Sequence, residues 1–370
     1  MGVNIDIRHI ESAQTSELYI AATPAGSASV QVLWEELFTG IRDALISHKA
    51  HILQERLFAT QGAIESAPQI RADIYGDMDD GVAPSYLVCK EGLGEPVAGI
   101  QVHAIVSDSA PEVITLNGTA CGRIVDIEGS KYLTLSAVLD DTSTTAVEQS
   151  EIMLQKAEDA LKLCDTDLLS VARTWMWLGD ILKWYDDFNH VRNELFTKRG
   201  LIGSGSRHSM PASTGIGLGP SNGSFCSMDL AAILEPANSN KYIQVVGKQQ
   251  CASEYGSAFS RAAEAVTPAT KSLFISGTAS IDEAGATTNI DDAEAQVKTT
   301  IVNVQAVLRD LNYKDEDVVQ VMAYCKTTEV EEVFNSLKDE LPWPWVSMVC
   351  DVCRDDLLFE IEAIAAVARS

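Results

Sequence analysis

The chain has 370 residues, 46% hydrophobic and 22% charged, a composition that excludes disorder and a length that suits two or three domains. A net charge of −26 with no run of Lys or Arg argues against nucleic acid as a partner, and any anionic ligand has to be held by a few local cations. No apolar stretch of about eighteen residues occurs, and Met1-Gly-Val-Asn-Ile-Asp-Ile lacks signal-peptide character, so a cytoplasmic chain without a membrane partner is expected.

In chain order, residues 17–23 read as a first strand. Residues 29–58 carry Val32, Leu33, Leu37, Ile41, Leu45 and Ile46 at helical spacing and predict one long helix. Residues 60–83, rich in Gly, Ala, Asp and Pro, read as a loop, and 85–90, 98–106 and 114–127 read as short strands. Then follow a strand at 131–139, a helix at 146–163, a strand at 167–176, a helix at 180–199, a Gly-rich loop at 203–217 and a strand at 227–235. The second half repeats that order: strand 272–281, helix 291–311, strand 318–326, helix 330–341, and two strands joined by a polar turn within 344–367.

One boundary matches in residues too, Asp165-Thr-Asp-Leu-Leu-Ser-Val against Asp315-Glu-Asp-Val-Val-Gln-Val. The expected architecture is therefore α/β, with two tandem units, 1–236 (carrying an N-terminal elaboration) and 237–370. Each unit is a mixed sheet with helices on one face, whose other face packs against the sister sheet or another subunit.

The last strand places Phe359, Ile361, Ala363 and Ala365 on one face and Leu358, Glu360, Glu362 and Ile364 on the other. A carboxylate in an apolar strand is costly to desolvate, so it belongs in water, in an ion pair or in a site that exploits a raised pKa. In the first copy, Met228-Asp-Leu-Ala-Ala-Ile-Leu-Glu-Pro236 puts Ala231 and Ala232 about where Glu360 stands. A group required by the fold alone should occur in both copies, which makes Glu360 a catalytic candidate beside the plainer reading of a wet sheet face. Glu362 reads as a salt-bridge or interface residue.

Residues 242–367 resemble the reactive-intermediate deaminase family, also called endoribonuclease L-PSP, through Phe274-Ile-Ser-Gly-Thr, the following helix, and Leu358-Phe-Glu-Ile-Glu-Ala-Ile-Ala. The resemblance implies a chorismate-mutase-like fold, trimers with clefts between neighbouring sheets, and a substrate site at Glu360 and an Arg that follows a Pro. Pro344-Trp-Val-Ser347 has Val346 where that Arg is expected. The chain as a whole is similar to the chorismatases, two-unit members that hydrolyse the enolpyruvyl ether of chorismate. The markers are Arg173-Thr-Trp-Met-Trp-Leu-Gly-Asp-Ile-Leu182, Trp184-Tyr-Asp-Asp-Phe-Asn-His-Val-Arg192, Pro211-Ala-Ser-Thr-Gly-Ile-Gly217 and Cys353-Arg-Asp-Asp-Leu-Leu-Phe-Glu-Ile-Glu362. This implies Glu360 as the acid, no cofactor, a small anionic substrate, pyruvate release, and a homo-oligomeric (trimeric) or pseudo-trimeric assembly.

Enol-ether cleavage needs a carboxylic acid still protonated near neutral pH, and desolvation plus the nearby Glu362 supply two causes. Candidate substrate-binding groups are Arg207 with Ser213, Thr214 and Gly215 in the small-residue loop, and Arg173, Tyr324 and Lys326 on the corresponding inner strands. The loop glycines serve equally well as plain turns, and the cations as surface ion pairs. Trp175, Trp177 and Trp184 read as core. The Gly-x-Gly pattern lacks a nucleotide-binding context, and neither the His residues nor Cys350-x-x-Cys353 make a metal set. An imine deaminase and a non-catalytic binding protein of the same fold are the competing readings.

Overall fold

Ser29 caps the first long helix through Val32 N–H, and α1 runs Val30–His48 until Lys49 turns left-handed at φ 53°. The apolar spacing beyond it belongs to a strand, β3 (Ala50–Ala59), because both its edges find partner strands. The helix expected over 29–58 is thus two elements, and the loop expected over 60–83 holds the short helices α2 (Gln61–Ile64) and α3 (Ala67–Tyr75). This computed structural model describes residues 2–93, 96–203, 209–247 and 257–369.

Three six-stranded sheets are present among the described residues. The first contains β1 (Val3–Glu11), β2 (Ser16–Pro24), β3, β4 (Ser85–Val88) and β5 (Val97–Val106), ordered β1-β2-β5-β3-β4 and extended by a two-residue strand from the middle of the chain. The second is built from β6 (Glu112–Leu116), β7 (Thr119–Ile127), β8 (Ser130–Leu139), α4 (Ala146–Leu163), β9 (Val171–Leu178), α5 (Tyr185–Lys198), β10 (Ala212–Ile216), β11 (Gly219–Pro220, the extension of the first sheet) and β12 (Cys226–Glu235). The third comprises β13 (Lys241–Ile243), β14 (Ala262–Val266), β15 (Thr270–Ala279), α6 (Ala293–Asp310), β16 (Val318–Cys325), α7 (Thr328–Leu337), β17 (Trp345–Val349) and β18 (Phe359–Ala368).

The strand orders are one pattern used three times. In β10-β9-β12-β8-β7-β6 and β13-β14-β15-β18-β16-β17, as in the first sheet, the last strand to be made inserts between an antiparallel neighbour and a parallel pair. The residues taken from sequence as an N-terminal elaboration therefore build a sheet with the same topology as the other two.

Helices cover one face of each sheet, giving three separate cores. The uncovered faces meet in a fourth, shared core with Tyr19, Phe58, Trp175, Trp177, Phe274, Tyr324 and Ile364 drawn from all three sheets. This follows from alternation: in β18, Phe359, Ile361, Ala363 and Ala365 point to the helices, and Ile364 and Ala366 to the shared core. Glu360 and Glu362 share the second parity. Burial of these two carboxylates is the exception that needs a local account.

Candidate active site

Where two sheets meet, a strand edge of one lies against the hairpin of the next. At the junction of the second and third sheets, β10 runs alongside β15, with a bridge between Ala212 and Ser260. A cleft of about 370 Å³ opens there, lined by Tyr185, Asn189 and Arg192 of α5, by Ser213, Thr214 and Gly215 of β10, and by Gly277, Cys353, Arg354 and Glu360 of the third unit. Arg261 lines it as well.

Glu360 is 5% exposed and makes no hydrogen bond or ion pair with the described residues. Burial first, then the charge of Glu362, pushes its carboxyl up to about 8, while Arg173, Arg354 and Arg261 pull the other way. It is mostly protonated at neutral pH. Space for it comes from Gly277, where a Cβ would overlap the Glu360 carboxyl oxygen and press on Thr214 Cγ2 at 3.3 Å.

Behind the cleft sits a buried ion pair. Arg173 Nη2 donates to Glu362 Oε2 at 2.7 Å and to Thr214 Oγ1 at 2.6 Å, and Trp175 Nε1 donates to Glu362 Oε1 at 2.7 Å. Gly277 N–H donates to the same Thr214 oxygen at 3.1 Å. Both lone pairs of that hydroxyl are occupied, so the hydrogen bond it has left to make is as a donor. Glu362 is the interface ion-pair residue expected from sequence.

Cations flank the cleft. Arg192 Nη2 donates to Asn189 Oδ1 at 2.6 Å, and its guanidinium lies over Phe188, 5.3 Å from the ring centroid, with burial lowering its pKa and Tyr185 opposing that. Arg261 lies 5.5 Å from the Phe259 ring, and Arg354 donates to Gly285 O at 2.6 Å. Cys353 is a neutral thiol, pushed up to about 12 by burial and by Glu360. Among the described residues no cluster of His, Cys, Asp or Glu has metal-site geometry, and no helix is long and apolar enough to cross a membrane.

Sheet registers revise the internal alignment. Glu360 pairs with Tyr324, which pairs with Met348; Ser227 pairs with Trp177, which pairs with Ile216; Gly99 pairs with Phe58, which pairs with Leu87. All six of these partners line the shared core. The counterpart of Glu360 is therefore Ser227, with Gly99 in the first sheet, and Ala231 lies further along β12. Glu362, beside Met322, corresponds to Asp229, beside Trp175, which is also in a buried pair, with Arg56 at 2.7 Å. Of the two acids, only Glu360 lacks an acidic counterpart.

The registers also show that Val346, where the resemblance places an Arg, is not the residue beside Glu360. Val346, beside Met322, is buried against the first sheet, near where a Cβ on Gly99 would lie. The β10 residue at the same register, beside Trp175, is Thr214, and that is the one facing Glu360.

Of the residues singled out from sequence, Glu360, Ser213, Thr214 and Gly215 come together in the cleft, on a strand where a loop was expected. Arg173 lies one layer behind it. Tyr324 is fully buried beside Glu360 in the sheet, with its hydroxyl on Met322 Sδ, and Lys326 donates to Asp355 O at 2.6 Å; neither lines the cleft. Arg207 lies outside the described residues. Sequence reasoning assigned no site role to Tyr185, Asn189, Arg192, Arg261, Arg354 or Gly277. The spacing of Tyr185, Asn189 and Arg192 along one helix face was the available signal.

Residues 256–367 match the family model described as Endoribonuclease L-PSP, so the segment that builds most of the third sheet carries that domain. A solved chorismatase structure is similar over 77% of this chain and 87% of its own, with 19% identity and a TM-score of 0.57, and the fold is therefore chorismatase-like. A putative endoribonuclease from Thermotoga maritima is 22% identical over 35% of this chain and 98% of its own, TM-score 0.28. RidA from an Antarctic Psychrobacter is 19% identical over 34% and 99%, TM-score 0.29. No curated protein sequence matches.

Proposed function

We propose that this chain is a cofactor-free hydrolase of a small unsaturated acid, with Glu360 as general acid and the enolpyruvyl ether of chorismate as its substrate. The observation that carries the reading is a carboxyl group buried beside a second carboxylate, open to a cleft of ligand size and poised near pKa 8.

Protonated Glu360 gives its proton to the methylene carbon, and the alkene electron pair forms the new C–H bond. The ether oxygen stabilises the resulting cation, and the ionised Glu360 faces it. Water adds and returns a proton to Glu360, and the hemiketal breaks its C–O bond to release pyruvate and the alcohol. One water is consumed and nothing is oxidised or reduced. Arg192, Arg261 and Arg354 take the substrate carboxylates, with Ser213 and Gly215 shaping the floor and Thr214 donating to a substrate oxygen. Arg207 keeps its proposed role as a further anchor; Arg173 acts from behind through Thr214, and Tyr324 and Lys326 act through the strand that carries Glu360.

The L-PSP match over 256–367 favours a second reading, imine deamination, in which the same acid serves water addition. Thr214 places no charge at the register of the family Arg, which weighs against it.

Purified protein with chorismate should release pyruvate, and Glu360→Gln should cut the rate by roughly 10²–10⁴-fold. No pyruvate at saturating chorismate overturns the hydrolase. Ammonia from an imino acid selects the deaminase, and ligand-induced thermal stabilisation without turnover selects a non-catalytic binding protein.

A further inference from the structure

Three sheets packed in a ring make three junctions of one kind. The junction between the third and first sheets rebuilds the Glu360 cleft from corresponding parts: α7 replaces α5, β17 replaces β10, and β2 and β5 replace β15 and β18. It holds a cavity of about 240 Å³ lined by Thr23, Leu93, Glu331, Asn335, Lys338 and Ser347, among others. The acid is missing. Gly99 stands at the position of Glu360, and Val346 packs over it.

Beside apolar residues such as Val97, Trp345 and Met348, and Lys90, which is paired with Asp351, this cavity is lined by several polar side chains that are short of partners. Glu331, Asn335 and Lys338 are spaced four and three apart and share one helix face. Glu331 is 8% exposed and accepts one hydrogen bond, from Leu93 N–H at 3.0 Å to Oε2. Asn335 Oδ1 is buried with no hydrogen-bond partner among the described residues. Among the described residues Lys338 makes no ion pair and Ser347 makes no side-chain hydrogen bond. A buried acceptor left bare is destabilising unless something fills it.

We propose that this sister cleft is a second, non-catalytic binding site for a small zwitterion of the α-amino acid class. The ammonium group satisfies Glu331 Oε1 and Asn335 Oδ1, and the carboxylate meets Lys338, with Ser347 as a further hydrogen-bond partner. Neutral ligands leave both charges unmatched, and simple anions or amines match only one. Burial raises the Glu331 pKa, and an ammonium partner offsets that cost. This site stands independently of any reaction at Glu360.

The test is isothermal titration of the full chain with L-alanine, using pyruvate and ethylamine as probes that each lack one charge. One L-alanine per chain should bind, with at least tenfold weaker affinity in Glu331→Gln and in Lys338→Met and no change in Glu360→Gln. Thermal midpoints of the variants check that they fold. Ser347→Ala, outside the helix, should weaken binding less and keeps the test meaningful if a helix variant fails to fold. No saturable binding of L-alanine, unchanged affinity in these variants, or equal binding of pyruvate or ethylamine overturns the proposal.

Discussion

The two open junctions are assembled from corresponding strands and helices, yet at the matched position one buries a carboxyl group without a partner among the described residues and the other a glycine. Ser227 at the third corresponding position makes the same point: the topology is content with a small residue there. An ionisable group kept at Glu360, where burial works against its charge, is a feature of that junction and not of the fold. The second acid differs. Glu362 and its counterpart Asp229 are both tied to arginines, Arg173 and Arg56, as interface pairs should be.

The largest expected effect separates the junctions by pH. With its folded pKa near 8 and its unfolded value near 4.5, Glu360 favours folding while protonated, and that contribution is lost as pH rises through 8. Glu360→Gln should therefore gain stability over the parent between pH 5 and 9, by up to about 5 kcal/mol. Denaturant titrations across that range check it, and a flat difference breaks the comparison. Glu331→Gln should show a difference of the same sign, since burial raises its pKa as well.

Breaking the ion pair comes next. Arg173→Met leaves Glu362 buried and unpaired and should cost about 3–5 kcal/mol. Gln320, the matching position on β16, is buried with its Nε2 unpartnered among the described residues, and Gln320→Met should cost far less. Equal losses would mean that the Arg173 pair is not special.

Two substitutions sharpen the site itself. Gly277→Ala collides with Glu360 and should lower kcat by about a hundredfold, whereas Gly99→Ala, strained at φ 152° and pressed on Ala22 O, should cost about 1–3 kcal/mol of stability and spare kcat. Thr214→Val should raise KM about tenfold, with Thr214→Ser close to the parent. A Val variant with unchanged KM removes that hydroxyl from the substrate site.

Much of the fold was legible because alternation and helical spacing survive in single elements. The parity of β18 held from Phe359 to Ala365, whereas Leu358, just before the strand, packs on the helix side, and the uncovered sheet faces do pack together. The first sheet escaped because β3 continues the apolar spacing of α1 without a Gly or Pro between them, and only pairing with β4 and β5 decides the matter. At the site, Glu360 was visible as an acid in an apolar strand. Its neighbours were not, since Arg192, Thr214 and Arg354 reach it from separate elements, and a small shift in alignment exchanges Ala231 for Ser227.

Three sheets on one continuous backbone have a consequence for how such a molecule can change. In a ring of identical chains, any substitution appears at every seam, so an acid that helps one seam burdens all. A tethered ring is free of that rule: each seam drifts separately, one toward chemistry, one toward recognition, and one, sealed by Arg56 and Asp229, toward plain adhesion.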